Sequence, residues 1–234
     1  MSALKIMCSP KRQHLFDVTI AYMKLILASE GFSTQEIVDE CVRLCGKSAD
    51  QISFAVINEG YAVEGGDKRW VLKNLNDIAG NFGGEIDFVN LLALELDEIR
   101  ERIMAKDVIF VVGGDTGYLM SVFNKSGFAD MLPEILKTKV YVGSSAGAII
   151  LGKRLDDSLY KILNSDEKDW GISKYMEIVD FAVIPHLGSV EFPGRDEKFE
   201  QVKKQHNGII YGLKDDAAIV VDGYGAMLIG AITY

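Results

Sequence analysis

Apolar residues along this chain fall into two patterns, short near-continuous runs and longer stretches with helical spacing. The runs Leu25–Ala28 (LILA), Ile52–Ile57 (ISFAVI), Ile86–Val89 and Val108–Val112 (VIFVV) are too short for helices. Ile52–Ile57 and Val108–Val112 are too uniformly apolar for half-exposed strands, so these two predict strands covered on both faces. Between them, apolar positions recur every three or four residues. Ser33-Thr34-Gln35-Glu36 reads as a capping box, and Ile37, Cys41, Leu44 and Cys45 as the buried stripe of a helix that Gly46 ends. Helices are also predicted over Asp67–Ala79 (with Trp70 in the core), Glu95–Ala105, about Gly117–Asn124, about Ala129–Leu136, and Glu197–Gln205. Further strands are expected at Val140–Val142, Glu177–Ile184, Ile209–Leu213, Ala217–Val221 and Ala226–Ala231, with a polar, irregular segment over Asp156–Lys174. Strand alternating with helix implies an α/β fold, a mostly parallel sheet with helices on both faces.

The regular alternation starts just after Met23. Residues 1–22 contain Pro10 and Lys11-Arg12 and show no clear period, so they read as an N-terminal extension ahead of a single α/β domain over residues 23–234.

Composition narrows the function classes. A chain of 234 residues with 48% hydrophobic residues can bury a sizeable core. The net charge of −9 and the lack of a basic stripe argue against a nucleic-acid partner. Three cysteines (Cys8, Cys41, Cys45), two of them at i,i+4 on an apolar helix face with no histidine nearby, read as thiols rather than a metal site. They fit a reducing cytoplasm. With no leader and no apolar run near 18 residues, the expectation is a soluble cytoplasmic protein without a membrane partner.

The chemistry concentrates in Lys139–Gly152, KVYVGSSAGAIILG. A β-branched strand runs into Gly143-Ser144-Ser145-Ala146-Gly147 and then an apolar helix, which is the G-x-S-x-G nucleophile elbow with the strand before and helix after that it requires. Such a turn aims Ser145 at solvent and leaves it at a helix N-terminus, where the Ala146 N–H is a candidate oxyanion donor. A serine nucleophile needs a base, and the chain has three histidines. His14 lies in the aperiodic N-terminal segment and His206 ends a charged helix. His186 directly follows an apolar strand, where open α/β sheets place their sites. Asp215 or Asp216, ahead of the strand Ala217–Val221, is the candidate third member. The competing order Ser…Asp…His would pair Asp180 with His206. Gly113-Gly114-Asp115-Thr116 closes another strand, and Gly114 N–H is a candidate second oxyanion donor. A phosphate loop is the rival reading of that segment, but no G-x-x-x-x-G-K or G-x-G-x-x-G is present.

Four motifs together carry a resemblance: G-G-[DN]-T after one strand, G-x-S-A-G after the next, P-H at the end of a third, and a late G-L-x-D-D-x-A. The chain resembles the serine aspartyl dipeptidase (peptidase E) family, with cyanophycinase a cousin, over roughly Lys24 to Gly223. The resemblance implies a class I glutamine-amidotransferase-like (flavodoxin-like) fold with Ser145 as nucleophile, His186 as base, and Gly114 and Ala146 as oxyanion donors. Cyanophycinases place a glutamate where Asp215 stands, which favours Asp215 over Asp216. Relatives commonly carry G-G-N-T and a following aromatic, where this chain has Asp115 and Gly117. They also carry an arginine segment after the elbow helix, suited to an N-terminal aspartate. Lys153-Arg154 lies near that point without the surrounding motif.

The expectation is a serine exopeptidase acting on short peptides, N-terminal aspartate first among them, with Asp115, Thr116, Lys153 and Arg154 as substrate-binding residues. Neither metal nor organic cofactor is implied, and the protein is expected to be a monomer or homodimer. The alternatives are a hydrolase of another amide or ester, and a catalytically silent relative that binds a small ligand in the same cleft.

Overall fold

The computed structural model describes residues 22–164, 168–223 and 225–234. The expected extension over residues 1–22, with His14 and Cys8, lies outside the described residues except for Tyr22. The elements follow in order: β1 (Lys24–Ala28), α1 (Gln35–Cys45), β2 (Phe54–Ile57), α2 (Arg69–Asn81), β3 (Ile86–Phe88), α3 (Leu96–Met104), β4 (Val108–Val111), α4 (Thr116–Lys125), α5 (Phe128–Ile135), β5 (Val140–Ser144), α6 (Ala146–Ile149), α7 (Asp157–Leu163), β6 (Phe181–Leu187), α8 (Arg195–Gln205), β7 (Ile209–Lys214), β8 (Ala218–Asp222), β9 (Gly225–Ile229) and β10 (Ile232–Thr233).

Seven strands form the main sheet in the order β3-β2-β4-β5-β1-β8-β9. β1 to β5 are parallel, as the alternation of strand and helix predicts, whereas β8 and β9 add antiparallel at one side. β6 and β7 pair in parallel, and β10 joins them in a separate three-stranded sheet. The strand that carries His186 is therefore not part of the main sheet.

Alternation along the central strands divides the core into two layers. Leu25, Leu27, Ala55, Ile57, Ile109, Val111 and Tyr141 face α3 to α6 on one side. Ile26, Phe54, Val56, Val108, Phe110, Val140 and Val142 face α1 and α2 on the other. A third apolar cluster joins α7 and α8 to the small sheet through Leu159, Leu163, Ile184, Phe199 and Val202.

Several local expectations change. The cap of α1 is Thr34, whose hydroxyl accepts from Ile37 N–H, while Ser33 turns its hydroxyl to the Asp215 carbonyl at 2.8 Å. The strand expected from Glu177 starts only at Phe181, because Met176, Glu177 and Val179 donate their N–H groups to Ile150, Gly152 and Leu151 at the end of α6. The irregular segment contains α7, capped by Asp156 through Leu159 N–H at 3.1 Å. The last predicted strand divides at Gly230, where the chain leaves the main sheet for the small one. Trp70, assigned to the core, is half-buried against Tyr61 and lines a cleft. Cys41 is buried and Cys45 half-buried, and both are free thiols.

α6 packs so closely on β4 that one position tolerates no side chain. A Cβ on Gly147 would lie 2.3 Å from the Val111 carbonyl oxygen. The buried Tyr141 hydroxyl donates to the Gly147 carbonyl at 2.7 Å, and burial pushes its pKa up, so it stays a neutral donor. Gly147→Ala is expected to cost about 1–3 kcal/mol or more through overpacking. Gly80→Ala, at a helical position with nothing within 4 Å, should change stability by less than about 1 kcal/mol and raise rather than lower it. Urea midpoints of the two variants against wild type check the contrast.

Candidate active site

Register along the sheet brings the site residues to one edge. Ala28, the last residue of β1, pairs with Ser144 of β5 on one side and with Ala218 of β8 on the other. β8 runs antiparallel, so the residues entering it share an edge with the residues leaving β1 and β5. Ser29, Ser145 and Asp215 meet there. His186 arrives from β6 in the small sheet, which stands against that edge.

Ser145 occupies a strained turn, φ 50° and ψ −111°, and its N–H donates to the Ala28 carbonyl at 3.0 Å. Its Oγ lies 2.9 Å from His186 Nε2. His186 Nδ1 lies 2.7 Å from Asp215 Oδ1. His186 has a positive φ of 66° and is buried, its ring stacked on Phe192 at 4.4 Å between centroids. The bond from His186 is the chief reason that the Asp215 carboxyl sits below its usual range; partial burial opposes it, and the Ser189 and Ser29 hydroxyls support it. Between the two acids left open by the sequence, Asp215 makes this contact and Asp216 is exposed. The competing order does not form: His206 ends α8 beside Gly208, Asp180 is exposed, and the imidazole on Ser145 belongs to His186.

Gly114 lines the same cleft. Its φ of 127° and its contact with Gly60 both require glycine, since a Cβ would meet the Gly60 carbonyl carbon at 2.2 Å. The next amide, Asp115 N–H, donates to the Gly60 carbonyl at 3.0 Å. Among the described residues the N–H groups of Gly114 and Ala146 have no protein acceptor.

The expected substrate contacts sort differently. Thr116 lines the cleft. Asp115 instead serves the scaffold: one oxygen caps α4 through Tyr118 N–H at 2.8 Å, and the other accepts from Trp170 Nε1 at 3.0 Å. Lys153 is exposed and does not line the cleft. Arg154 pairs with Asp157 at 2.6 Å, lies over the Tyr160 ring, and borders a neighbouring cavity instead. Sequence distance after the elbow points to both, but Lys153 N–H is tied to the Phe181 carbonyl and the chain turns away into α7. The cation in the cleft is Arg195, which is buried and anchored through Nε to the Pro185 carbonyl (3.2 Å) and through Nη1 to Asn164 Oδ1 (3.2 Å). Glu30, Glu64 and Glu191 complete the charged lining of this cavity of about 180 Å³. Sequence reasoning missed all four, since none lies in a motif. Position gives some signal, because Glu30 stands two residues past β1 and Arg195 opens α8.

Potential metal-ligand atoms of Glu30, His186 and Asp215 come within 4.8 Å of one another. His186 Nδ1 is already bonded to Asp215, and an ion there would have to break that pair.

A serine held on a strand-to-helix turn against an imidazole defines a serine hydrolase, and comparison with known proteins makes the class specific. The chain matches the model of Peptidase family S51 over residues 25–229 and belongs to that family of serine peptidases. An uncharacterized peptidase of Listeria monocytogenes is 30% identical over 151 residues, which cover 59% of this chain and 71% of the relative. An uncharacterized peptidase of Pasteurella multocida is 29% identical over 113 residues, 47% of this chain and about half (54%) of the relative. Among solved structures, a candidate peptidase E of Listeria monocytogenes superposes with a TM-score of 0.71 at 22% identity, covering 88% of this chain and 97% of that one. A peptidase from an acI-B1 actinobacterium superposes with a TM-score of 0.64 at 18% identity, covering 90% and 89%. At those identities the structures establish the fold. No helix among the described residues is long and apolar enough to cross a membrane.

The Asp215 shift fixes a sign. A carboxyl whose folded pKa is depressed contributes stability above its unfolded pKa, about 3.9 for aspartate, and loses it as pH falls through the lower folded value. The Tm difference between wild type and Asp215→Asn should therefore hold steady above about pH 5 and close progressively below about pH 4. Thermal melts of both proteins across pH 2.5–7 check this, and a gap unchanged down to pH 2.5 would contradict it.

Proposed function

We propose that this peptidase is an exopeptidase that hydrolyses short peptides bearing a free amino terminus, N-terminal aspartate foremost, through Ser145, His186 and Asp215. The observation that carries the reading is the continuous chain of contacts from Ser145 Oγ to His186 Nε2 (2.9 Å) and from Nδ1 to Asp215 (2.7 Å). In this mechanism Ser145 Oγ attacks the scissile carbonyl while Nε2 takes its proton, and Asp215 stabilises the imidazolium. The N–H groups of Gly114 and Ala146 receive the oxyanion, the more effectively because no protein acceptor among the described residues competes for them. Nε2 then returns the proton to the leaving amine, and water hydrolyses the acyl-enzyme by the reverse sequence. No metal enters these steps.

The cleft chemistry supports the substrate class. Glu30, Glu64 and Glu191 suit a substrate ammonium, and Arg195 suits a carboxylate. A cavity of about 180 Å³ accommodates one or two residues rather than a long peptide.

The test is a panel of aminoacyl anilides, with aspartyl anilide expected to be cleaved fastest. Ser145→Ala should cut turnover roughly 10³–10⁶-fold with the fold intact, and Ser144→Ala should cost far less. Equal losses in the two variants would rule out Ser145 as the nucleophile. Equal rates for aspartyl, leucyl and lysyl anilides would rule out the acidic preference.

A further inference from the structure

Ser29 is wholly buried at the end of β1, and the mechanism above gives it no part. Its hydroxyl touches both residues that prepare the nucleophile. Ser29 Oγ accepts the backbone N–H of His186 at 2.9 Å. It donates to Asp215 Oδ1 at 3.3 Å, the oxygen that also meets His186 Nδ1, and it stands 3.4 Å from Nδ1 itself. A hydroxyl has one proton to give, and here Asp215 receives it.

That assignment fixes the imidazole. With the Ser29 hydroxyl donating its hydrogen bond to the Asp215 carboxylate, Nδ1 carries its own hydrogen and donates it to the same oxygen. Nε2 is then the bare nitrogen facing Ser145, the tautomer a general base requires. The backbone contact acts on orientation. His186 holds a positive φ, an uncommon conformation for a side-chain-bearing residue, in a strand that shares no backbone ladder with the sheet carrying Ser145. Ser29 bridges the two sheets at that point. Its own N–H donates to the Ala217 carbonyl at 3.0 Å, which keeps it in register with the segment that carries Asp215.

We propose that Ser29 is a positioning residue of this peptidase, one hydroxyl that sets the place of Asp215 and the orientation and tautomer of His186. The inference rests on the Ser145–His186–Asp215 reading, yet parts of its test need no peptide substrate.

In Ser29→Ala, kcat should fall roughly 10–100-fold, the scale of a small misplacement of a catalytic group. KM should stay within about two-fold, because Ser29 acts on the base and not on bound substrate. Reaction with a fluorophosphonate separates placement from folding. Loss of positioning lowers the rate constant of labelling at Ser145 while every molecule still labels in the end. A merely structural role lowers the labelled fraction and the Tm and leaves the rate constant unchanged. Proton NMR supplies a substrate-free signature, a far-downfield Nδ1 proton that is present in wild type, absent in His186→Gln, and lost or shifted in Ser29→Ala. Ser29→Cys puts a larger and more weakly hydrogen-bonding thiol in place of the hydroxyl, and should fall between wild type and alanine in labelling rate; it carries the test if the alanine variant does not fold. A wild-type labelling rate constant and an unmoved downfield proton in the folded variant overturn the proposal. If the unmutated protein labels and shows the downfield proton but cleaves no anilide, the substrate assignment fails and the role of Ser29 stands.

Discussion

The site depends on the antiparallel turn of a single strand. Had β8 continued the parallel order, the residues before it would lie at the far end of the sheet. Five residues at about 3.3 Å each would put Asp215 roughly 15 Å from Ser145. Because β8 reverses, the entry to one strand and the exits from two others coincide at Ala28, Ser144 and Ala218. Hydrogen-bond register thus does the first and coarsest part of the positioning before any site side chain is placed.

Finer placement comes from strain that the surroundings hold. Ser145 and His186 both have positive φ, a conformation that costs on the order of 1–3 kcal/mol and persists only where neighbours over-determine it. For Ser145 the neighbours are the Ala28 carbonyl beneath it, the Gly147 backbone pressed on β4, and the Tyr141 hydroxyl that pins that backbone. For His186 they are the Ser29 hydroxyl and the ring of Phe192. Close packing is the reason that glycines frame the elbow: a Cβ on Gly143 would lie 2.4 Å from the Gly147 backbone, and one on Gly147 would lie 2.3 Å from the Val111 carbonyl oxygen.

What the sequence made legible follows from the range of the forces involved. Doubly buried strands show in composition alone, so β1, β2, β4 and β5 were evident from their apolar runs. The elbow and the Gly113-Gly114 turn were evident because local sterics dictate their residue types. Asp215 and His186 are legible as an entry and an exit of apolar runs, but a single parallel sheet does not gather them. A strand in the small sheet and an antiparallel strand in the main one reach the same place, and neither pairing is encoded in short-range pattern. The charged lining of the cleft is least legible. Arg195 stands nine residues beyond His186, in a segment with no periodic signal (195 − 186). Lys153 and Arg154 were chosen for nearness in sequence to the elbow, and the chain turns them away within three residues by starting α7 at Asp157.

The shortness of α6 ties the two sheets together. α6 stops at Ile149, so the carbonyls of the three residues after it, Ile150 to Gly152, have no further helical turn to bond and need donors. The chain that leads into β6 supplies them: Met176 N–H meets the Ile150 carbonyl, Val179 N–H meets Leu151, and Glu177 N–H meets Gly152. Lys153 N–H returns the tie to the Phe181 carbonyl at the first residue of β6. The N-terminus of α6 therefore presents Ser145, while its C-terminal end holds the strand that brings His186. A longer helix would satisfy its own carbonyls and release the small sheet, so Ser145 and His186 are aligned by an element just long enough to do both.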